Sequence, residues 1–382
     1  MSFSPVYIQA YSCLSPAGFG IAPLMVSLMG GRTQLQGGLG SLPTALDREL
    51  EQLRSEKALK DQDRVTLMGV LLARSLPQMA EDTGVIIGSS RGAAASIETS
   101  IAHHLAGQRL RPSTSPTTTG SGISSAITRD LKLSGPSFYL SAACSTGLFA
   151  VIQGAASLHS SLAESFLVGG MEAANTPFSR EMMAATKVLS TSSDEYPCRP
   201  GASDREGMVL SEGAALLHLS TKPSSLAIVG LGAATESSTL TGVSENGEAL
   251  QKAIHKALSS AGLDPSAIDL IVGHGSGTVK GDESEMNAYT EIFSGKIPPL
   301  VFHKWCGGHM LGASAALSVM LAAEHLKNSE TPPHPYFEAS HEMAKKQRLG
   351  KNNLALITSM GFGGSACAVI VKNLEPHSHL SA

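Results

Sequence analysis

Cys144 lies in Ser141-Ala142-Ala143-Cys144-Ser145-Thr146-Gly147, where an apolar, strand-like stretch gives way to a small-residue run that reads as a helix. Two histidines follow in glycine-rich settings: His274 in His274-Gly-Ser-Gly-Thr278, and His309 in Lys304-Trp305-Cys306-Gly307-Gly308-His309. A thiol at a strand-to-helix junction, with imidazoles on two separate downstream loops, demands a fold that gathers distant loops at its strand ends. That is an α/β architecture, and the set suggests nucleophilic carbon–sulfur chemistry. Each piece alone is weak; their order is not.

The rest of the chain carries the same pattern. Short β-branched runs predict strands over 6–10, 83–87, 165–168, 227–230, 270–272, 356–358 and 368–371. Between them, Ala/Leu/Ser-rich stretches predict helices over 48–59, 124–131, 148–161, 247–261 and 314–327. The two halves echo one another faintly. Thr83-Gly-Val-Ile-Ile-Gly88 resembles Ile268-Asp-Leu-Ile-Val-Gly273, and Val6 to Pro16 resembles Ala227 to Thr235. A duplicated architecture produces such echoes, and Lys222-Pro223 marks a seam between halves 1–222 and 223–382.

Composition narrows the function classes. The net charge is −4 and no basic run stands out, so nucleic acid is not an expected partner. Five cysteines (Cys13, Cys144, Cys198, Cys306, Cys367) without CxxC spacing predict reduced thiols in a reducing compartment, the cytoplasm. The N-terminus lacks the pattern of a secretory signal, and the longest apolar small-residue run, near 148–158, is too short to span a bilayer. The terminal His377-Ser-His379 reads as a frayed tail rather than a metal site.

A free thiol has a pKa of ~8.5, and a helix starting just after Cys144 would stabilise its thiolate through N–H groups and dipole. The bland alternative is a buried structural cysteine. His274 follows a strand-like run, with Asp282 and Glu285 one turn apart behind it, placed to orient a histidine or a lysine. It is equally readable as a satisfied structural histidine. Cys306 and His309 lack the second pair that a zinc site needs, so no metal is expected. Ser359-Met360-Gly361-Phe362-Gly363-Gly364-Ser365 is either a mobile loop presenting a backbone N–H or a plain hairpin.

Taken in order, these motifs resemble the β-ketoacyl-acyl carrier protein synthases: Cys at a strand–helix junction, His-Gly-x-Gly-Thr-x-x-Gly-Asp-x-x-Glu, Lys-x-x-x-Gly-His-x-x-Gly-Ala, and Gly-Phe-Gly-Gly. Ser134-Gly135-Pro136, Cys198-Arg199-Pro200, Asp204-Arg205-Glu206-Gly207 and Ser211-Glu212-Gly213-Ala214 extend the likeness over nearly the whole chain. The resemblance implies a thiolase-like, five-layered α-β-α-β-α fold made of two similar halves, and a dimer. It implies decarboxylative Claisen condensation: Cys144 accepts the acyl group, while His274 and His309 bind malonyl thioester and stabilise its enolate. Lys304 supports the histidine pair, and Asp282 and Glu285 support the first histidine's loop. Backbone N–H groups of Cys144 and Met360 form the oxyanion hole, and Gly361 and Phe362 belong to the gating loop. No bound cofactor is implied, since phosphopantetheine arrives on a separate acyl carrier protein, as in a discrete, type II system.

Six positions depart from the family pattern, among them Ser365-Ala366 where the gating loop usually reads Thr-Asn. Met360 replaces the first Phe of the gating loop. Arg91 stands where an apolar residue lines the acyl pocket, Ser318 where many relatives pair a glutamate with the lysine, and Trp305 where serine is usual. These departures keep open a second reading, a chain-length-factor-like subunit that shapes the tunnel of an active partner. A biosynthetic thiolase would need a late Cys-x-Gly, and Cys367 sits in Ser-Ala-Cys-Ala instead.

Overall fold

The computed structural model describes residues 3–236 and 243–375; the terminal His377 and His379 lie outside them. Apart from the two-residue strand Gly18–Phe19, which pairs with the end of the first, the strands among the described residues fall into two sets of five. The first is β1 (Val6–Ser15), β2 (Gly84–Gly88), β3 (Ser137–Leu140), β4 (Ser165–Glu172) and β5 (Gly213–Ser220). The second is β6 (Leu226–Thr235), β7 (Leu270–Val272), β8 (Leu300–Val301), β9 (Leu354–Gly361) and β10 (Ser365–Asn373). In space they run β3-β2-β4-β5-β1 and β8-β7-β9-β10-β6. By rank within its half, each set reads 3-2-4-5-1. The pairing senses repeat as well: the first three neighbours are parallel, and the fifth-ranked strand is antiparallel to both of its own. The sets touch where Val6 and Tyr7 of β1 face Ile228 and Ala227 of β6.

Helices complete five layers. α1 (Arg64–Arg74) and α2 (Ser121–Asp130) cover the outer face of the first set. α4 (Glu248–Ala261) and α5 (Val279–Ile292) cover the second. Between the sets lie α3 (Thr146–His159) and α6 (Ser314–Asn328), packed on each other and on strands of both. This is the α-β-α-β-α arrangement of the thiolase-like fold.

The sequence explains why those two helices are central. From Ser314 to Ala323, α6 reads Ser-Ala-Ala-Leu-Ser-Val-Met-Leu-Ala-Ala, and all ten residues are buried. A helix apolar all round belongs inside, and its small residues let neighbours come close. Gly147 takes this furthest: a Cβ there would sit 2.8 Å from both Ala316 N and Gly312 O. The start of α3 is thereby pressed onto the start of α6, which brings the Cys144 turn toward His309.

Predicted and observed elements differ mainly at their ends. The helix expected over 48–59 is Thr44–Arg54, because only Leu46, Leu50 and Leu53 share a buried face and the following Ser55-Glu56-Lys57 has nothing to bury. The run 148–161 begins two residues earlier, at Thr146, directly behind the nucleophile turn. α1, β5 and β8 are absent from the sequence-based expectations. Among the described residues, no helix is long and apolar enough to cross a membrane.

Candidate active site

Cys144 sits half-buried on the wall of a cleft of about 500 Å³, which it shares with His274, His309, Met360, Gly361 and Phe362. The turn that presents it is strained. Ala143 has φ 49°, a left-handed conformation that a residue with a Cβ seldom adopts. Its carbonyl is held by hydroxyls from two directions, Thr146 Oγ1 at 2.6 Å and Ser90 Oγ at 2.7 Å. Thr146 Oγ1 also accepts the Ala142 N–H at 2.8 Å, so one side chain closes the turn and opens α3.

Burial is the largest influence on the thiol and pushes its pKa up to about 11. The Lys304 ammonium and the Arg91 guanidinium draw it down, and the Glu172 carboxylate adds to the rise. The free protein therefore carries a protonated sulfur near neutral pH. Desolvation of the charge thus acts against the help expected from the helix start.

His274 follows β7, and its peptide group is clamped at both ends. Glu285, fully buried on α5, accepts its N–H at 2.5 Å and that of Gly275 at 2.7 Å. The buried Lys304 Nζ donates to its carbonyl oxygen. Glu285 also accepts from the Tyr289 hydroxyl at 2.6 Å. Asp282 secures the next stretch, accepting Gly277 N–H at 3.1 Å and Ser276 Oγ at 3.2 Å, and ties it to Gly201 N–H at 2.9 Å.

His309 is fixed differently. Its Nδ1 accepts the Leu311 N–H at 3.0 Å and lies 3.3 Å from Ser314 Oγ. That lone pair being used, the ring's proton sits on Nε2, which is left as a donor. The two imidazoles meet edge to face, with centroids 5.4 Å apart and planes at 75°. Burial, then the Lys304 charge, holds both well below the usual histidine range, so both are neutral at pH 7. They offer N–H donors without charge.

The segment 359–365 is the β9–β10 hairpin, with Met360 opposite Ala366 and Gly361 opposite Ser365. Its end also runs against the nucleophile turn: a Cβ at Gly361 would sit 3.0 Å from Ala142 O and 3.2 Å from Cys144 N. Phe362 lines the cleft beyond it.

Arg91 does not line this cleft. Its N–H donates to Glu172 at 3.0 Å, and its guanidinium lies against the Met183 sulfur at 3.3 Å and the Met182 sulfur at 4.0 Å. It forms no ion pair among the described residues. Ser318 does not bond Lys304; its Oγ meets Nε2 of the buried His303 at 2.9 Å. Trp305 is fully buried among Tyr196, His334 and Tyr336. Sequence reasoning passed over His303 and Glu172, each flanked by residues that gave it no visible context. Among the described residues, no group of three or more His, Cys, Asp or Glu could hold a metal ion.

The chain is similar to known proteins over most of its length. The beta-ketoacyl synthase N-terminal domain matches residues 70–224, and the beta-ketoacyl synthase C-terminal domain matches 226–338. The 3-oxoacyl-acyl carrier protein synthase 2 of Staphylococcus aureus (strain COL) is 26% identical over 356 residues, covering 85% of this chain and 86% of its own. That of Rhizobium meliloti (strain 1021) is 29% identical over 268 residues, 64% of this chain and 63% of its own. A beta-ketoacyl synthase from Burkholderia phymatum STM815 superposes with a TM-score of 0.83 at 21% identity, covering 97% of this chain and 100% of its own. A ketosynthase in complex with its chain length factor from Xenorhabdus doucetiae does so at 0.82 and 23%, covering 97% and 98%. At such identities the structural likeness speaks for the fold.

Proposed function

The chain belongs to the β-ketoacyl synthase family, and from that premise we propose that it is an active ketosynthase. It joins an acyl group to a malonyl unit by decarboxylative Claisen condensation, in fatty acid or type II polyketide synthesis. The observation that carries this reading is the convergence of Cys144, His274 and His309, from three distant loops, on one cleft.

In the first half-reaction Cys144 sulfur attacks the thioester carbonyl of an acyl group carried on phosphopantetheine. His309 has no free lone pair, so His274 takes the thiol proton and passes it to the departing pantetheine sulfur. In the second, the malonyl thioester loses CO₂, the electrons of the broken carbon–carbon bond move into an enolate, and the imidazole N–H groups stabilise its oxygen. The enolate carbon attacks the acyl carbonyl on Cys144. Backbone N–H groups of Cys144 and Met360 hold the oxyanion until the thiolate leaves and takes up a proton from solvent, its original one having departed with pantetheine.

An acyl carrier protein presents both substrates, and a cytoplasmic setting suits five free cysteines. The partner subunit is a second ketosynthase-like chain. β3 is the outermost strand of its set and leaves Phe138 43% exposed, an edge that a partner would cover.

Incubation of the purified protein with a series of acyl carrier thioesters and malonyl carrier protein tests this. An acyl mass on Cys144 and a β-ketoacyl product are expected. No adduct and no product, alone or with a co-purified homologous subunit, would replace this reading with that of a chain-length-factor-like partner. Arg91→Ala belongs in the same panel. Removing the guanidinium that lies against Met182 and Met183, at the position where the family lines its acyl pocket, is expected to raise the rate with longer acyl chains, relative to short ones, by roughly tenfold or more.

A further inference from the structure

Glu172 closes β4 and is fully buried, yet neither the sequence motifs nor the reaction just described uses it. Its oxygens take four hydrogen bonds. Oε1 accepts from Ser89 Oγ at 2.9 Å and Arg91 N–H at 3.0 Å; Oε2 accepts from Ser90 N–H at 2.8 Å and Gly312 N–H at 3.1 Å. The Ser89 hydroxyl accepts from Gly92 N–H at 2.8 Å, so its own proton is committed to the carboxylate. Four donors and no acceptor fit only the ionised carboxylate.

These donors belong to two loops that hold the reacting groups. On one side, Ser90 is bound by Glu172 through its N–H and in turn holds the carbonyl of strained Ala143, the residue before Cys144. On the other side, Gly312 lies in the Leu311–Ala313 turn, whose Leu311 N–H fixes His309 Nδ1. The fit leaves no room for adjustment. A Cβ on Gly312 would sit 2.9 Å from Ser90 N and 3.0 Å from Glu172 Oε2, and one on Gly170 would sit 2.2 Å from Gly312 O.

We infer that Glu172 is a positioning residue for the condensation, a buried carboxylate that sets the distance between the nucleophile turn and the His309 turn. The inference rests on the ketosynthase reading. A carboxylate is kept here at a cost, since burial raises its pKa despite the four donors. Glutamine has the same shape but only one accepting end. Whichever way its amide turns, two donors face an NH₂ group and one pair of links is broken.

The test compares wild type, Glu172→Gln and Ser90→Ala in four measurements: acylation of Cys144, malonyl decarboxylation, condensation, and alkylation of Cys144 by iodoacetamide across pH. For Glu172→Gln, kcat for condensation is expected to fall about 100-fold, with KM for malonyl carrier protein changed by no more than about twofold. Its alkylation curve is expected to move to lower pH. The groups acting on the sulfur are Lys304, Glu172 and Arg91, and only the one opposing ionisation has been removed. Loosening of the fold would also hydrate the sulfur and lower that pH, so the fall in kcat at unchanged KM is the readout that separates positioning from loosening. Ser90→Ala breaks the nucleophile-side link alone and is expected to slow acylation about tenfold, more than it slows decarboxylation.

A folded Glu172→Gln with wild-type condensation overturns the inference, as does an alkylation curve that stays in place. If Glu172→Gln fails to fold, Ser90→Ala decides, and unchanged acylation overturns it. A wild type that neither accepts acyl groups nor decarboxylates malonyl carrier protein instead defeats the ketosynthase reading. The alkylation comparison then still tests the two-loop link.

Discussion

Cys144→Ala is expected to abolish the acyl adduct and lower condensation by at least about 10⁴-fold, while malonyl decarboxylation persists. The separation follows from how the site divides its work. Acyl transfer needs the sulfur; loss of CO₂ needs only N–H donors at the developing enolate oxygen, and those are imidazoles fixed by Leu311, Glu285 and Lys304 rather than by the thiol. No other cysteine can substitute, because Cys13, Cys198, Cys306 and Cys367 are all buried. The fold should tolerate the change. The turn is held by Thr146 and Ser90 hydroxyls on the Ala143 carbonyl, and sulfur takes no part in either bond. The same experiment in wild type carries a pH sign. The thiol's pKa is raised to about 11, so acylation should climb as pH rises from neutral toward that value. Retention of condensation by the alanine variant, or loss of decarboxylation in a folded one, would sink this division of labour.

How much of this was legible beforehand depends on which physical level is asked about. β7 was found to the residue, because Leu270-Ile271-Val272 is bounded by Asp269 and Gly273. The faint internal echo also had structural content. Residues 83–88 contain β2 and 268–273 contain β7, which hold the same rank in the two strand orders, as do β1 and β6. Topology is preserved by pairing and burial, which many residues satisfy, so the echo is weak in letters and complete in arrangement. Spacing alone could not reveal depth. The start of α3 was expected to lower the Cys144 pKa, whereas its desolvation in the cleft raises it. Glu172 was invisible for a related reason: a carboxylate after Gly-Gly-Met at a strand end looks solvated until its donors arrive from residues 89–91 and 312. Ser318 stands where many relatives pair a glutamate with the lysine, and the partner it takes instead, His303, was not foreseen.

Glu285→Gln should be the most damaging change made outside the cleft. Oε1 of Glu285 takes the His274 N–H and the Tyr289 hydroxyl, and Oε2 takes the Gly275 N–H. An amide can satisfy one end and must turn its NH₂ toward donors at the other. The larger loss is electrostatic. Lys304 is 1% exposed, makes no direct ion pair among the described residues, and has its pKa lowered by burial; the Glu285 carboxylate is the chief influence holding it up. Without that carboxylate an ammonium is left in the interior with little to balance it. A cost of about 3–5 kcal/mol at pH 7 is expected in denaturant unfolding. The sign with pH is fixed by linkage. A lysine whose folded pKa is depressed binds fewer protons folded than unfolded, so stability rises with pH, and the deficit of the variant should shrink between pH 7 and 9. Activity should suffer separately. Lys304 holds the His274 carbonyl and Glu285 its N–H, so an unbalanced lysine and a half-satisfied amide loosen the ring from both sides. Condensation is expected to fall about 10²- to 10³-fold in the fraction that remains folded. A loss of stability that grows with pH would show that Lys304 is not the charge Glu285 balances.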